Sequence, residues 1–176
     1  FYDGTRLDEK CTVVSRIAIN FFRFGSFEIF KKKDDNNDRP GPSSNEEYAP
    51  LKKKLLDHII NNYYNDIRDN YENDNNKKYQ EFFKEVVKRT AILVAKWQAV
   101  GWVHGVLNTD NMSIMGLTID YGPYGFMESF DKDFTPNGSD GSARYSFSRQ
   151  AEMCKWNCGK LAEMLVPYIS IDESKK

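Results

Sequence analysis

The longest amphipathic segment is the feature that most constrains how this chain can fold. Between residues 76 and 100, apolar or aromatic side chains recur at alternating steps of four and three, the spacing of one helix face: Tyr79, Phe83, Val86, Thr90, Leu93, Trp97 and Val100. At 1.5 Å per residue, such a helix is about 37 Å long. Gly101 follows it, where a left-handed residue often ends a helix. The sequence predicts a mainly α domain built on one long, core-facing helix.

Two further helices are predicted on either side of this one. The first begins near Glu46 and has apolar residues at steps of four: Leu51, Leu55, Ile59 and Tyr63. The second covers residues 149–166, with these side chains facing inward: Met153, Trp156, Leu161 and Met164. Residues 31–45 and 65–78 are polar and are expected to be loops. Residues 128–148 are expected to form an ordered loop.

β-Structure is predicted in two short regions only. Residues 12–19 are rich in β-branched side chains and predict a buried strand. Gly25 then marks a turn or a close backbone approach, before a short helix over residues 27–31. Residues 112–120 predict two short strands joined near Gly116, which would make a small β hairpin.

Composition excludes some classes of partner. The chain carries 25 Lys and Arg against 26 Asp and Glu, for a net charge of −1. A chain with this balance has no excess positive charge that would attract nucleic acid or an anionic membrane. Cys154 and Cys158 lie on one helix face with no histidine near them in sequence. We interpret them as buried thiols and not as zinc ligands.

The segment HGVLNTDNMSIMGLTIDYGPYGF, residues 104–126, carries the candidate chemistry. Protein kinases contain a catalytic loop, H-R-D-x-x-x-x-N, followed by a metal-binding D-F-G. Here His104 and Asn111 have the same separation, and Asp120-Tyr121-Gly122 stands in place of D-F-G. A nucleotide triphosphate needs Mg²⁺ to offset its charge, and Mg²⁺ prefers oxygen ligands. A hairpin could bring the Asn111 amide and the Asp120 carboxylate to one ion.

One position departs from the kinase pattern. The catalytic aspartate would fall at position 106, where the chain has Val106, a side chain that cannot accept a proton. Asp110 supplies a carboxylate that the pattern does not require. Our hypothesis is that Asp110 is the base from a shifted position. The alternative is that residues 109–111 form a capped turn without catalytic function.

These residues resemble the selenoprotein O family. The resemblance rests on residues 104–126, on VVSRIAINFFRFGSFEIF at residues 13–30, on FYDG at residues 1–4, on AKWQAVG at residues 95–101, and on GSARYSFSRQAEMCKWN at residues 141–157. The details look closer to eukaryotic members than to bacterial ones. The resemblance implies a protein-kinase-like fold that binds ATP in a reversed orientation. It implies transfer of AMP to Ser, Thr or Tyr hydroxyls of proteins, with release of pyrophosphate, and a mitochondrial location.

The resemblance also implies a role for each site residue. Asp110 would be the proton acceptor, while Asn111 and Asp120 would hold Mg²⁺ or Mn²⁺, with Asp120 also binding the nucleotide. Arg16 and Arg23 match the two arginines that the family uses on the ATP phosphates. ATP and hydroxyl-bearing protein substrates are therefore the expected partners.

The resemblance further predicts how the chain divides. Residues 1–30 would be the end of a small lobe with the phosphate-binding arginines, and residues 31–176 a helical large lobe. The glycine-rich loop, lysine and glutamate of the small lobe would lie outside this chain, so we expect these 176 residues alone to be inactive. Two other functions stay open from sequence: a phosphoryl-transferring protein kinase, and a non-catalytic pseudokinase scaffold.

Overall fold

The computed structural model describes residue 13, residues 15–32 and residues 40–170. In that part of the chain the fold is mainly helical. Its α-helices are α1 (Ala49–Tyr63), α2 (Asn65–Asn70), α3 (Asn75–Ala99) and α4 (Gln150–Leu165). Two strands, β1 (Trp102–Val103) and β2 (Gly125–Phe126), pair antiparallel, with Trp102 opposite Phe126. Four 3-10 helices complete the described elements: Phe24–Phe30, Glu46–Tyr48, Thr109–Asn111 and Phe147–Arg149.

The long helix predicted from periodicity is confirmed as α3, which has 25 residues. It begins where the Asp74 side chain accepts a hydrogen bond from the Lys77 amide, 3.0 Å away, as an N-cap does. It ends before Gly101, whose φ of 64° is the left-handed conformation expected of a terminating glycine. Val100 was wrongly predicted to face inward, since it follows the last helical residue and is 63% exposed.

The core lies between α1, α3, α4 and the first 3-10 helix. These elements contribute the following fully buried side chains: Phe24, Phe27, Leu56, Ile59, Ile60, Phe82, Val86, Leu161 and Leu165. The predicted helix at 149–166 is confirmed as α4, although Trp156 lies on its outer side. The loop at 128–148 is confirmed up to the short 3-10 helix that precedes α4. Leu51, in the first turn of α1, was also predicted on the inward face but is 47% exposed.

The predicted buried strand at 12–19 is wrong for the residues that can be compared. Val13, Ile17 and Ile19 are largely exposed and belong to no strand, and Thr12 and Val14 lie outside the described residues. A β-branched segment becomes a strand only where another backbone can pair with it. In the described part of the chain, no strand lies beside residues 15–19.

The predicted hairpin near Gly116 needs correction as well. Residues 112–120 contain no strand, and a single bridge, between Met112 and Thr118, joins the two halves of the segment. The two-stranded sheet instead brackets this segment, with β1 before His104 and β2 after Tyr124. Gly116, with φ of 66°, provides the tight reversal. The chain therefore reverses as predicted, but over a longer span.

Two loop boundaries also differ from the prediction. The polar connection at 65–78 contains α2 and the first turn of α3. The short helix expected at 27–31 begins earlier and is the 3-10 helix Phe24–Phe30. Residues 33–39 of the loop predicted at 31–45 lie outside the described residues. Among the helices described, none is long and apolar enough to cross a membrane.

Candidate active site

The loop between β1 and the third 3-10 helix is held by two buried amide side chains of α4. Gln150 is fully buried; its Oε1 accepts from the His104 amide and its Nε2 donates to the Trp102 carbonyl, both at 3.0 Å. Asn157, seven residues later on the same helix face, donates from Nδ2 to the Leu107 carbonyl at 2.9 Å. These bonds satisfy backbone groups that would otherwise be buried without partners. Helix α4 therefore fixes the course of the loop.

His104 supports the loop from inside and does not face the site surface. It is fully buried, its Nδ1 accepts from the Val106 amide at 3.2 Å, and its Nε2 donates to the Ile119 carbonyl at 2.7 Å. These bonds join the loop to the residue before Asp120. Burial lowers the pKa of His104, against the opposing effects of the Ile119 carbonyl and the Asp120 charge. The imidazole is thus a neutral group that supports the loop.

Asn111 and Asp120 lie side by side, as predicted. The turn that contains Asn111 is capped by Asn108, whose side-chain oxygen accepts from the Asn111 amide at 3.1 Å. The Asn111 Nδ2 donates to the Val106 carbonyl at 2.9 Å and lies 3.4 Å from Asp120 Oδ2. Asn111 is buried, whereas Asp120 is exposed. The pair therefore links a buried amide to an exposed carboxylate.

The backbone of Asp120 has an unusual conformation. Its φ is 61°, in the left-handed region that few residues other than glycine adopt without strain. Asparagine and aspartate tolerate this region best. Residues held in sparsely populated backbone regions often occur at functional sites. The conformation turns the chain sharply where the Asp120 carboxylate meets Asn111.

Arg16 lies beside the residue that follows Asp120. Its guanidinium carbon is 5.3 Å from the centroid of the Tyr121 ring. Its Nη1 is buried, yet it has no hydrogen-bond partner among the described residues. A buried donor without a partner is costly, and guanidinium groups suit phosphate oxygens. The geometry fits an anion next to the Asp120-Tyr121-Gly122 turn.

Asp110 and Arg23 are joined to this surface through the first 3-10 helix. Asp110 is exposed, and its carboxylate lies against Gly25 of that helix. Arg23 immediately precedes the helix and forms an antiparallel bridge with Ser113. Direct contacts thus link the chain segments that carry the five predicted site residues: Arg16, Arg23, Asp110, Asn111 and Asp120.

The Asn111–Asp120 pair fits a hard divalent cation that is shared with a phosphate. No group of three or more His, Cys, Asp or Glu side chains in the described residues could hold a metal by itself. Mg²⁺ usually takes only one or two carboxylates and completes its shell with water and substrate phosphates. The Asn111 nitrogen donates to the Val106 carbonyl and lies beside Asp120, so the side-chain oxygen is the ligand atom that Asn111 can offer to a cation.

Sequence reasoning missed Gln150 and Asn157. Their only signal is that two amide residues seven apart share one face of a predicted helix that is otherwise apolar. That spacing suggested no chemistry, because the groups that they bind are backbone atoms of a distant loop.

This helical domain contains a carboxylate–amide pair, a neighbouring carboxylate and an arginine whose Nη1 has no hydrogen-bond partner among the described residues. Such groups are suited to binding a nucleotide with its cation. Comparison with known proteins identifies the family. A family model described as "Protein adenylyltransferase SelO" matches residues 4–176. The chain therefore belongs to the SelO family.

Individual relatives support this assignment. The chain is 52% identical over 176 residues to "Protein adenylyltransferase SelO-1, mitochondrial" of Danio rerio, covering 100% of the chain and 25% of that protein. It is 50% identical over 172 residues to "Protein adenylyltransferase SelO, mitochondrial" of Homo sapiens, covering 98% of the chain and 25% of that protein. A bacterial relative, "Protein nucleotidyltransferase YdiU" of Thiobacillus denitrificans, is 41% identical over 169 residues, covering 96% of the chain and 31% of that protein. The chain thus spans about a quarter of the length of its eukaryotic relatives.

Proposed function

We propose that the protein to which this chain belongs transfers AMP from ATP to Ser, Thr or Tyr hydroxyls of other proteins. The observation that carries the proposal is the Asn111–Asp120 pair, in which Nδ2 of the buried Asn111 lies 3.4 Å from Oδ2 of the exposed Asp120. The names of the relatives supply the reaction class, since they are protein adenylyltransferases and nucleotidyltransferases. Mitochondrial names among them support a mitochondrial location.

Each site residue has a role in this proposal. Asn111 through its side-chain oxygen and Asp120 through its carboxylate would hold Mg²⁺ or Mn²⁺, which offsets the triphosphate charge. Arg16 and Arg23 bind phosphate oxygens, and the unpartnered Nη1 of Arg16 supports its part in this. The large-lobe arrangement of a protein kinase, with ATP reversed so that its α-phosphate faces the acceptor, would place these groups around the nucleotide.

The chemical step is a displacement at the α-phosphorus. The acceptor hydroxyl oxygen forms a bond to that phosphorus, the bond to the α,β-bridging oxygen breaks, and pyrophosphate leaves. The Asp110 carboxylate accepts the hydroxyl proton. Asp110 is suited to this because it is exposed and directly precedes Asn111. Val106 has no group that could do so, and its amide and carbonyl are already bound by His104 and Asn111.

The test uses full-length protein with ATP labelled at either the α- or the γ-phosphate. We expect acceptor protein to be labelled from α-labelled ATP only, and mass spectrometry of its peptides to locate AMP on Ser, Thr or Tyr. Label from γ-labelled ATP would instead show a kinase. Nucleotide binding without transfer of either label would show a pseudokinase scaffold.

Variants of the full-length protein assign the roles. Asp110→Ala should lose at least 100-fold in transfer rate while retaining ATP affinity, since a general base contributes about 10²- to 10⁴-fold. Asp120→Ala should lose both transfer and Mg²⁺-dependent nucleotide binding. Asp133→Ala is the matched control, because Asp133 is an exposed carboxylate in the loop before α4. Unchanged transfer by Asp110→Ala would refute its assignment as the base.

A further inference from the structure

Gly25 occupies a position where its backbone does not require glycine. It lies in the 3-10 helix Phe24–Phe30, and the glycines with positive φ in the described residues are Gly101, Gly105 and Gly116. An L-residue can therefore adopt the Gly25 conformation. Glycine loses more conformational freedom on folding than alanine does, so alanine would suit a regular segment better. The reason for glycine here must be sought in what surrounds it.

The space beside the Gly25 Cα is filled by the carboxylate of Asp110. A Cβ at Gly25 would lie 2.1 Å from Asp110 Oδ1 and 3.1 Å from its Cγ. Non-bonded carbon and oxygen atoms do not approach so closely. The carboxylate would have to move by about 1 Å to remove this clash. The atom that Cβ would meet is the end of a side chain, so Asp110 can move without displacing the backbone.

The helix that carries Gly25 cannot easily move away from Asp110. The Phe24 amide donates to the Met112 carbonyl at 2.8 Å, and the Ile114 amide donates to the Phe22 carbonyl at 3.2 Å. One turn further along, the Glu28 carboxylate accepts from the Thr109 hydroxyl at 2.6 Å. Gly25 is thus held from both sides against the turn that contains Asp110. The side chain of Asp110 is the one part of this contact that can give way.

We propose that Gly25 is a positioning residue for Asp110: because Gly25 has no Cβ, the carboxylate can occupy the space beside its Cα. The proposal rests on the function proposed above, in which Asp110 accepts the proton of the acceptor hydroxyl. A general base must lie about 2.6–3.2 Å from the atom that it deprotonates. A displacement of about 1 Å can therefore cost about 100-fold in rate. Gly25 acts only through Asp110 and does not touch the reacting atoms.

The test compares Gly25→Ala with a glycine that has open space around it, in the full-length protein. Gly159 is exposed on α4, and a Cβ there would meet nothing within 4 Å. We expect Gly25→Ala to lower kcat by about 10- to 100-fold. Its Tm should be no lower than that of the wild type, and its affinity for ATP should change by less than about twofold. Gly159→Ala should leave kcat unchanged and raise Tm, because it removes glycine from a helix interior.

A double variant shows whether the effect passes through Asp110. In an Asp110→Ala background the carboxylate is absent, so Gly25→Ala should cause no further loss of the residual rate. A further loss of tenfold or more would overturn the proposal. So would wild-type kcat for Gly25→Ala, or a Tm lowered by more than about 3 °C, which would show that Cβ meets rigid packing.

The outcomes separate this inference from the proposed function. If Asp110→Ala loses transfer but Gly25→Ala does not, the positioning proposal fails and the proposed function stands. If Asp110→Ala keeps the wild-type rate, the base assignment fails, and the positioning proposal fails with it. If both single variants lose transfer and the double variant loses no more than Asp110→Ala, both proposals are supported.

Discussion

Removing the side-chain amide of Gln150 should loosen the loop that carries the site. Gln150→Leu replaces a fully buried side chain by one of similar size that cannot form hydrogen bonds. The His104 amide and the Trp102 carbonyl, which lie 3.0 Å from Gln150 Oε1 and Nε2 in the wild type, would then have no hydrogen-bond partner. Both residues are buried, so water cannot readily replace the lost bonds.

The expected destabilisation follows from these two groups. A buried backbone group left without a partner costs about 1–3 kcal/mol, so the pair costs about 2–6 kcal/mol. The leucine side chain recovers about 1–2 kcal/mol through its burial. The net loss is about 3 kcal/mol, which corresponds to roughly a 100-fold change in the equilibrium for local opening.

Hydrogen exchange measured by mass spectrometry on the full-length protein tests this value. Amides in a peptide that covers residues 102–107 should exchange about 100-fold faster in Gln150→Leu than in the wild type. Gln98→Leu is the matched control: Gln98 is only partly buried and makes one bond, from Nε2 to the Phe147 carbonyl at 2.7 Å. It should change exchange in residues 102–107 less than about threefold. The same small change in Gln150→Leu would refute the view that α4 holds the loop.

Two other predictions follow from buried titratable groups. Burial raises the pKa of Cys154 to about 12 and of Cys158 to about 11, so iodoacetamide at pH 8 should label neither thiol until urea unfolds the protein. Peptide mapping that finds Cys154 or Cys158 of the native protein labelled at the rate of free cysteine would contradict this. Burial lowers the pKa of His104 below its ordinary 6.5. The stability that depends on neutral His104 is therefore fully present above pH 6.5, and it is lost as the pH falls through the folded-state pKa. The Tm of the wild type should therefore fall more between pH 7.5 and pH 5.5 than that of His104→Gln, and equal falls would contradict the prediction.

The parts of the fold that were predicted from sequence are those with local causes. The spacing of apolar residues located α3 and α4, and the position of Gly101 located the end of α3. The separation of His104, Asn111 and Asp120 predicted that the last two would meet, and they do. In each case the information lies within one segment, or in the spacing of a motif whose geometry is known.

The parts that were missed depend on contacts between distant segments. Residues 12–19 have the composition of a strand, but composition does not supply the neighbour that a strand needs. Gln150 and Asn157 act on backbone groups 46 to 50 residues away, which no local pattern reveals. The contact between Gly25 and Asp110 is of the same kind. Sequence indicated a close approach at Gly25 but not the group that makes it.

The structure also shows how the loop keeps its form with an apolar side chain at position 106 and a carboxylate at position 110. Both polar backbone groups of Val106 are bound, the amide by His104 Nδ1 and the carbonyl by Asn111 Nδ2. Position 106 thus supports the loop through its main chain, and its side chain is free to be apolar. Asp110 instead lies in a 3-10 turn that Asn108 caps, next to Asn111 and exposed at the surface. A carboxylate there is exposed, and it takes part in none of the hydrogen bonds that fix the loop.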